Sequence, residues 1–384
     1  MNSRIVGLDI ARGVAILGTL GTNIWIFSHP GGMLGYLAQP TTPGAPAWQA
    51  WVEHVLQQLA QGKFLGLLTL MFGIGLAIQA DSARRAGRPW PGRYPWRAAI
   101  LFVDGLLHYL LVVEFDVLMG YAVTGAVAAY VVAGSERSQR IWIAAAAGVH
   151  VLLVAVLTLG MFVGSAGGFG PAPSPNPYRE GSWWDLVLLR VDNAALFRFE
   201  PVFLLCLGIA MFTLGSRLLR AGLFEGRGEL LRSRLMAAGS LALVADLALG
   251  LSSPNWLFVV RYGTAPIVAL GLLALIAQVT LGREPGWAGR RLGELGRVAL
   301  SGYVLQNLIA SVLFYGWGFD LGGLPPQWRL PVTIGGWALT SALVLLAAHL
   351  WLRRFGRGPL EWLWARGYAV LAGPERSTRE PVRV

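Results

Sequence analysis

The chain has 384 residues, 55% of them hydrophobic and only 13% charged, with a formal net charge of +11. So apolar a composition excludes a soluble fold of this length: apolar runs of about 20 residues recur, each long enough to cross a hydrocarbon core roughly 30 Å thick. In a soluble protein the positive charge would point to nucleic acid, but the arginines fall almost entirely between the apolar runs, so the expected partner is the lipid bilayer, with no nucleic acid.

The first run, 5–27, carries Asp9 and Arg12, and no small-residue cleavage site follows it. It reads as a span and not as a removed signal peptide. Residues 28–63 hold "SHPGG", a proline-rich stretch and "WVEHVLQQLAQGKF", an amphipathic helix expected to lie on or dip into the membrane. Spans are then expected near 64–80, 98–114, 116–133 and 141–164. The segment 165–200 opens with "SAGGFGPAPSPNP", a flexible-linker composition, and continues into "WWDLVLLR", a second interfacial helix. Further spans are expected near 201–219, 235–252, 258–281, 298–315 and 331–352. The single cysteine, Cys206, lies in an apolar run and permits no intrachain disulfide.

Basic residues alternate with this order. Arg84, Arg85, Arg88, Arg93 and Arg97 follow the second run, Arg137 and Arg140 the fourth, and Arg217, Arg220, Arg227, Arg232 and Arg234 the sixth. Arg283, Arg290, Arg291 and Arg297 follow the eighth, and Arg353, Arg354 and Arg357 open the tail. The connection 253–257 has no Lys or Arg, and 316–330 has only Arg329. By the positive-inside rule both termini are cytoplasmic. The expected fold is therefore all-α, a polytopic membrane helix bundle of about ten transmembrane helices with two longer outer loops. It divides into an N-terminal membrane half with a buried polar cluster (1–164), an outer loop (165–200), a C-terminal membrane half (201–366) and a cytoplasmic tail (367–384).

Ionisable groups inside spans are costly, roughly 2.5–3.5 kcal/mol each at the helix centre on insertion scales, and mark functional sites by default. Asp104 and His108 stand one turn apart on one helical face. Such a pair fixes the imidazole tautomer as a general base requires; a structural hydrogen bond between packed helices is the plain alternative. Glu114 and Asp116 lie at the tight turn between the third and fourth runs. A solvated turn carboxylate is expected for Glu114, whereas for Asp116 capping and function stand level. Asp9 and Arg12 either neutralise each other as an i,i+3 pair or hold the guanidinium fork toward an anion entering from the cytoplasm. Asn23 lies about 16 Å farther along the same helix. His150 and Asp246 read as groups bonded between helices, Arg261 as a snorkelling side chain, and His349 as a residue near the inner surface. "SGYVLQN" places Ser301, Tyr303, Gln306 and Asn307 on one span as polar glue or cavity lining. The glycines of "MFGIGLA" read as close helix packing. No phosphate loop, metal-spaced His/Cys cluster or nucleophile elbow occurs, and no metal is expected.

"RIVGLDIARGVAILG", followed by "GKFLGLLTLMFGIG" and "GLLHYLLVVEFDVLMGYA", resembles the N-terminal half of the YeiB-type bacterial inner-membrane family. "GRVALSGYVLQNLIASVLFYGWGFDLGG", followed by "WLRRFGRGPLEWLWARGYA", resembles its C-terminal domain, domain of unknown function 418. The likeness covers nearly the whole chain and implies a multi-pass protein of the bacterial plasma (inner) membrane. The first span is also similar to that of heparan-α-glucosaminide N-acetyltransferase and, more loosely, of the acyltransferase-3 membrane enzymes. Those proteins carry acyl groups from cytoplasmic acyl-CoA to an acceptor on the far side. This second likeness implies acyl-CoA as donor, with Asn23 at a catalytic asparagine ending the first span and His54 at a catalytic histidine before the second. His29 in "SHPGG" is the competing histidine.

Two functions follow as expectations. One is a transmembrane acyltransferase in which Arg12, with Asp9, meets the phosphates of acyl-CoA. There His54 or His108 takes a proton from a small-molecule, glycan or lipid acceptor, and Asn23 stabilises the oxyanion. The alternative is a transporter or transport-associated protein in which Asp104, His108 and Asp116 relay protons. A homo-oligomer is compatible with either.

Overall fold

A computed structural model describes residues 5–164 and 174–372; residues 165–173 of the linker expected at 165–177 and the part of the expected 367–384 tail beyond 372 lie outside these described residues. Among them every regular element is helical. In chain order these are α1 (Val6–Phe27), α2 (Gly32–Ala38), α3 (Ala47–Ala60), α4 (Lys63–Arg85), α5 (Tyr94–Leu111) and α6 (Leu118–Ala133). There follow α7 (Glu136–Val163), α8 (Trp183–Asp192), α9 (Ala194–Phe197), α10 (Phe199–Phe203), α11 (Leu205–Arg220) and α12 (Glu229–Ser252). The last are α13 (Leu257–Val259), α14 (Ala265–Thr280), α15 (Trp287–Arg297), α16 (Ala299–Phe314), α17 (Pro326–Arg354) and α18 (Pro359–Ala372).

Six of the described runs are long and apolar enough to cross a membrane, and eight if each of two bent pairs counts as one span. The bent pairs join α9–α10 to α11 at 40° and α15 to α16 at 94°. Of the ten spans expected, the two outside this count are α5 and α6. The α6 helix has 16 residues, about 24 Å at 1.5 Å per residue, and α5 is made less apolar by Arg97, Asp104 and His108. The amphipathic α3 runs on into α4, and together they form one run of 39 residues. Its polar residues Gln49, Glu53, Gln57 and Gln58 are buried, while Trp48 and Trp51 are exposed.

Small residues let the central helices approach closely, as membrane packing favours. A methyl group on Gly73 of α4 would lie 2.1 Å from the Phe212 carbonyl oxygen on α11, and one on Gly215 would lie 2.4 Å from that of Leu70. The glycines of "MFGIGLA" thus include a real contact point. At the start of α1, Gly13 meets the Leu292 carbonyl of α15, and Gly296 of α15 meets that of Asp9. The core so formed contains Leu67, Leu70, Ile74, Phe212 and Leu273. By contrast α7 and α12 expose large apolar side chains such as Val151, Leu152, Leu241 and Val244, faces suited to lipid.

Contacts gather at two ends of the bundle. At the arginine-rich end, Arg97 donates to Gln79 (2.7 Å) and lies over the rings of Trp364 and Tyr368. There, too, the Glu361 carboxylate caps the N-terminus of α16 by accepting from the Leu300 and Ser301 amides, the favourable placement of a negative charge on a helix dipole. At the opposite, loop-rich end, Asn176 donates to the Pro30 carbonyl (2.9 Å), Gly316 to that of Tyr178 (2.8 Å) and Gln49 to that of Gln327 (3.1 Å). Here α8 starts with a capping box between Ser182 and Asp185. The candidate site sits just beneath this loop-rich end.

Candidate functional site

The α5–α6 turn sets the geometry. Residues 112–117 reverse the chain, so the start of α6 comes back over the last turn of α5. His108 Nδ1 thereby meets Asp116 Oδ1 at 3.0 Å, with both side chains buried. The expected Asp104–His108 pairing is not formed. Asp104 is half-buried and makes no hydrogen bond or ion pair among the described residues; the turn delivers Asp116 to the ring instead. Asp116 also accepts from the Met119 amide through Oδ2 at 3.0 Å, so one side chain both caps α6 and orients the imidazole. With Nδ1–H directed at the carboxylate, the Nε2 lone pair accepts from the Asn307 amide at 3.2 Å, and Tyr303 packs against the ring at 5.0 Å. Both nitrogens of His108 are committed.

Glu114 is fully buried, not solvated as expected. The reason lies in two arginines from the 174–200 segment. Arg190 donates to the carbonyls of Leu110 and Val112 at 2.9 and 3.0 Å and places its Nε 3.8 Å from Glu114. Arg198 donates to the backbone carbonyls of Glu114 and Asp116 and lies over the Tyr109 ring. Together they satisfy carbonyls that the end of α5 leaves without partners and supply positive charge to a buried acidic turn.

A cavity of about 1000 Å³ opens beside this turn. His54, Asp116, Arg198, Glu200 and Arg261 line it, with apolar walls that include Leu157, Leu207 and Met211. A smaller recess of about 50 Å³ is lined by Thr19, Asn23, Glu200, Arg261 and Tyr303. Both cavities share Gly62, Leu65, Phe115 and Glu200 among their walls, so they adjoin. Thr22 donates to the Ala60 carbonyl at 3.1 Å, holding the Asn23 end of α1 against the C-terminal end of α3, the helix that carries His54. The structure brings Asn23, His54, Asp116 and His108 to one region. Asp9 and Arg12, paired at 3.3 Å, sit at the other end of α1.

The three loop-side histidines differ in what their nitrogens do. His54 Nε2 donates to the Gly250 carbonyl at 3.1 Å, which leaves Nδ1 with a lone pair and no hydrogen-bond partner among the described residues. His29 uses both nitrogens, donating to the Gln39 carbonyl and accepting from the Gly31 amide. Burial, aided by the nearby Arg329, holds its imidazole down to about 4. His108 is occupied on both sides. Of the three, His54 alone lines the cavity and keeps a ring nitrogen without a hydrogen-bond partner among the described residues.

Several charged residues find partners that the sequence does not foretell. Arg261 does not snorkel: it donates to Glu200 Oε1 at 2.7 Å, which also accepts from the Tyr262 hydroxyl at 2.8 Å. Asp246 makes the helix-to-helix bonds expected of it and adds a buried ion pair. It meets Lys63 Nζ at 2.5 Å, Gln58 at 2.7 Å and the Thr264 hydroxyl at 2.7 Å. Glu53 accepts from Thr42 at 2.8 Å and faces Arg329 at 3.4 Å. His349 pairs with Glu294 at 3.2 Å, and His150 meets the Tyr262 carbonyl at 3.1 Å, the helix-to-helix bond expected of it. Among the described residues no three His, Cys, Asp or Glu side chains converge so as to hold a metal ion.

Membrane-length helices around a cavity with a charged rim define the class: a multi-pass membrane protein with an internal site. Residues 218–370 match the family model described as "Protein of unknown function (DUF418)". The chain is 29% identical to "Uncharacterized protein YeiB" of Escherichia coli (strain K12), over 97% of its own length and 98% of the relative's. It is 24% identical to "Uncharacterized protein YxaH" of Bacillus subtilis (strain 168), over 94% of each. Over nearly its whole length the chain is thus similar to YeiB-type proteins, and its residues 218–370 carry the DUF418 match.

Proposed function

We propose that the protein is a transmembrane acyltransferase of the bacterial plasma (inner) membrane. It moves an acyl group from acyl-CoA, bound at the arginine-rich end taken as cytoplasmic, to an acceptor at the loop-rich end. The observation that carries this reading is His54, which lines a cavity adjoining the Asn23 recess, with its imidazole oriented by the Gly250 carbonyl and its Nδ1 without a hydrogen-bond partner among the described residues. An acceptor hydroxyl or amine gives its proton to Nδ1 as its heteroatom bonds to the thioester carbonyl carbon. The Asn23 amide meets the resulting oxyanion, a donor role worth about 3–4 kcal/mol. Collapse breaks the carbon–sulfur bond, and the CoA thiolate leaves with the proton from His54. Asp116, held by His108, lines the same cavity and orients the acceptor. Arg12, braced by Asp9, binds the phosphates of the donor.

The test is titration of the purified full chain with acetyl-CoA and longer acyl-CoAs. Binding that weakens in Arg12→Ala, together with transfer lost in His54→Gln, is the expected result. No binding by any acyl-CoA would overturn it. That outcome favours the second reading, a transporter. One observation supports the transporter reading: the α13–α14 run is interrupted by a π-helical turn, Val260–Thr264, whose Thr264 touches the buried Lys63–Asp246 pair. Irregular backbone beside buried charge is how many transporters build ion sites.

A further inference from the structure

The large cavity has two kinds of edge. Among its lining residues, Ala38, Pro40 and Pro254 are exposed at the loop-rich end. Val156, Phe199 and Leu257 are exposed too, but on apolar helices whose outer faces are suited to lipid. The cavity therefore meets both water and the bilayer. Its volume, about 1000 Å³, lies at the top of the roughly 300–1,000 Å³ usual for small-molecule pockets. Most of its wall is hydrocarbon, contributed by α7, α11 and α13, and the polar side chains gather around α3 and the α5–α6 turn. A soluble metabolite has no use for such a wall, whereas a molecule half in lipid does.

The charge at the polar end is already balanced. Arg261 is bonded to Glu200, and Arg198 is spent on the carbonyls of the acidic turn and on Asp116 at 3.9 Å. No uncommitted cation is left in the lining to hold a phosphate, while Asp116, Glu200 and His54 are well placed to accept hydrogen bonds.

We infer that the cavity holds the hydrocarbon chain of a membrane amphiphile whose polar end is uncharged and bears hydroxyl groups, a lipid-linked alcohol or sugar. This rests on the acyl-transfer reading only for its role: there the amphiphile is the acceptor. Occupancy of the cavity stands by itself.

The experiment uses the full chain in lipid nanodiscs with a hexadecanol analogue carrying a diazirine in its chain, followed by mass spectrometry after illumination. Label is expected on Leu157, Leu207 or Met211. It should fall about tenfold, an affinity change of 1.4 kcal/mol, in Leu207→Trp, which fills the chamber. Gly160→Trp is a second filling variant, because a side chain there starts in open space. Val151→Trp, on the lipid-facing side of α7, should leave the label unchanged. Plain hexadecanol should compete more strongly than hexadecyl phosphate. Label confined to Val151 and Leu152, or undiminished in both filling variants, would overturn the chain site. Equal competition by the phosphate would overturn the uncharged head. Cavity label that persists while no acyl-CoA binds would uphold the chain site and sink the acyl-transfer reading alone.

Discussion

At the scale of single residues, His108 shows how a buried group can be conspicuous in a sequence and misplaced in role. Its spacing from Asp104 was legible because helical periodicity is local. Its true partner, Asp116, depends on how the chain turns, which periodicity does not encode. Removing the ring leaves Asp116 Oδ1 with no donor, so His108→Leu should lower stability by about 1–3 kcal/mol and abolish acyl transfer while leaving acyl-CoA binding intact. A His108→Leu variant with full transfer would reduce the pair to packing. His29 gives a second expectation. Its folded pKa of about 4 lies below the usual value near 6.5, so the unfolded chain binds the proton first as pH falls. Stability from this group is complete above pH 6.5 and is lost progressively down to about 4, by about 3 kcal/mol at most. Thermal unfolding in detergent from pH 7.5 to 4.5 should show this loss, and His29→Gln, which can keep both hydrogen bonds, should flatten it. An unchanged pH profile would mean the imidazole is not held neutral.

Elements reveal why other parts of the site were illegible. Lys63 opens α4 one residue before the span expected at 64–80, and so reads as the polar end of the interfacial helix. Its partner Asp246 lies 183 residues away on α12, a separation at which one sequence carries no pairing signal. The pair ties the α3–α4 junction to α12 and, through Thr264, to α14. Removing one member of a buried pair strands the other charge, a loss of about 3–5 kcal/mol, whereas replacing both with apolar residues is often near neutral. Asp246→Leu should therefore destabilise strongly, and Lys63→Met with Asp246→Leu should recover most of the loss in thermal unfolding. If the double variant is as weak as the single one, the clamp depends on the hydrogen bonds of Gln58 and not on charge. The helices themselves were far more legible than their pairings. Apolar length alone marks them, but the span expected at 298–315 begins at Val298, the residue between α15 and α16, and periodicity gives no sign of the 94° bend there.

For the whole molecule, the alternation of arginines separates two ends, and the contacts described above divide in the same way. Arg97, Arg220 and Arg291 belong to one end, and the loops near Pro30, Asn176 and Gly316 to the other. If the arginine-rich end is cytoplasmic, a cysteine at Ser174 in a Cys206→Ser background should react with an impermeant maleimide on intact cells, and one at Ser138 should not. The reverse labelling would invert the topology and with it the side from which acyl-CoA enters. What no count of apolar residues foretells is the cavity, since its walls come from helices in both halves of the chain and its rim from segments that read as loops.

The arginines that neutralise the α5–α6 turn carry a consequence for biosynthesis. Arg198 lies 84 residues after Glu114, so a growing chain must insert the acidic turn well before its counter-charges have left the ribosome. Until then two carboxylates wait at the membrane boundary, protonated or hydrated, and the first half of the protein is an unfinished intermediate. A chain halted after α7 should be handled by membrane quality control as misfolded, and supplying residues 174–384 as a separate polypeptide should rescue it.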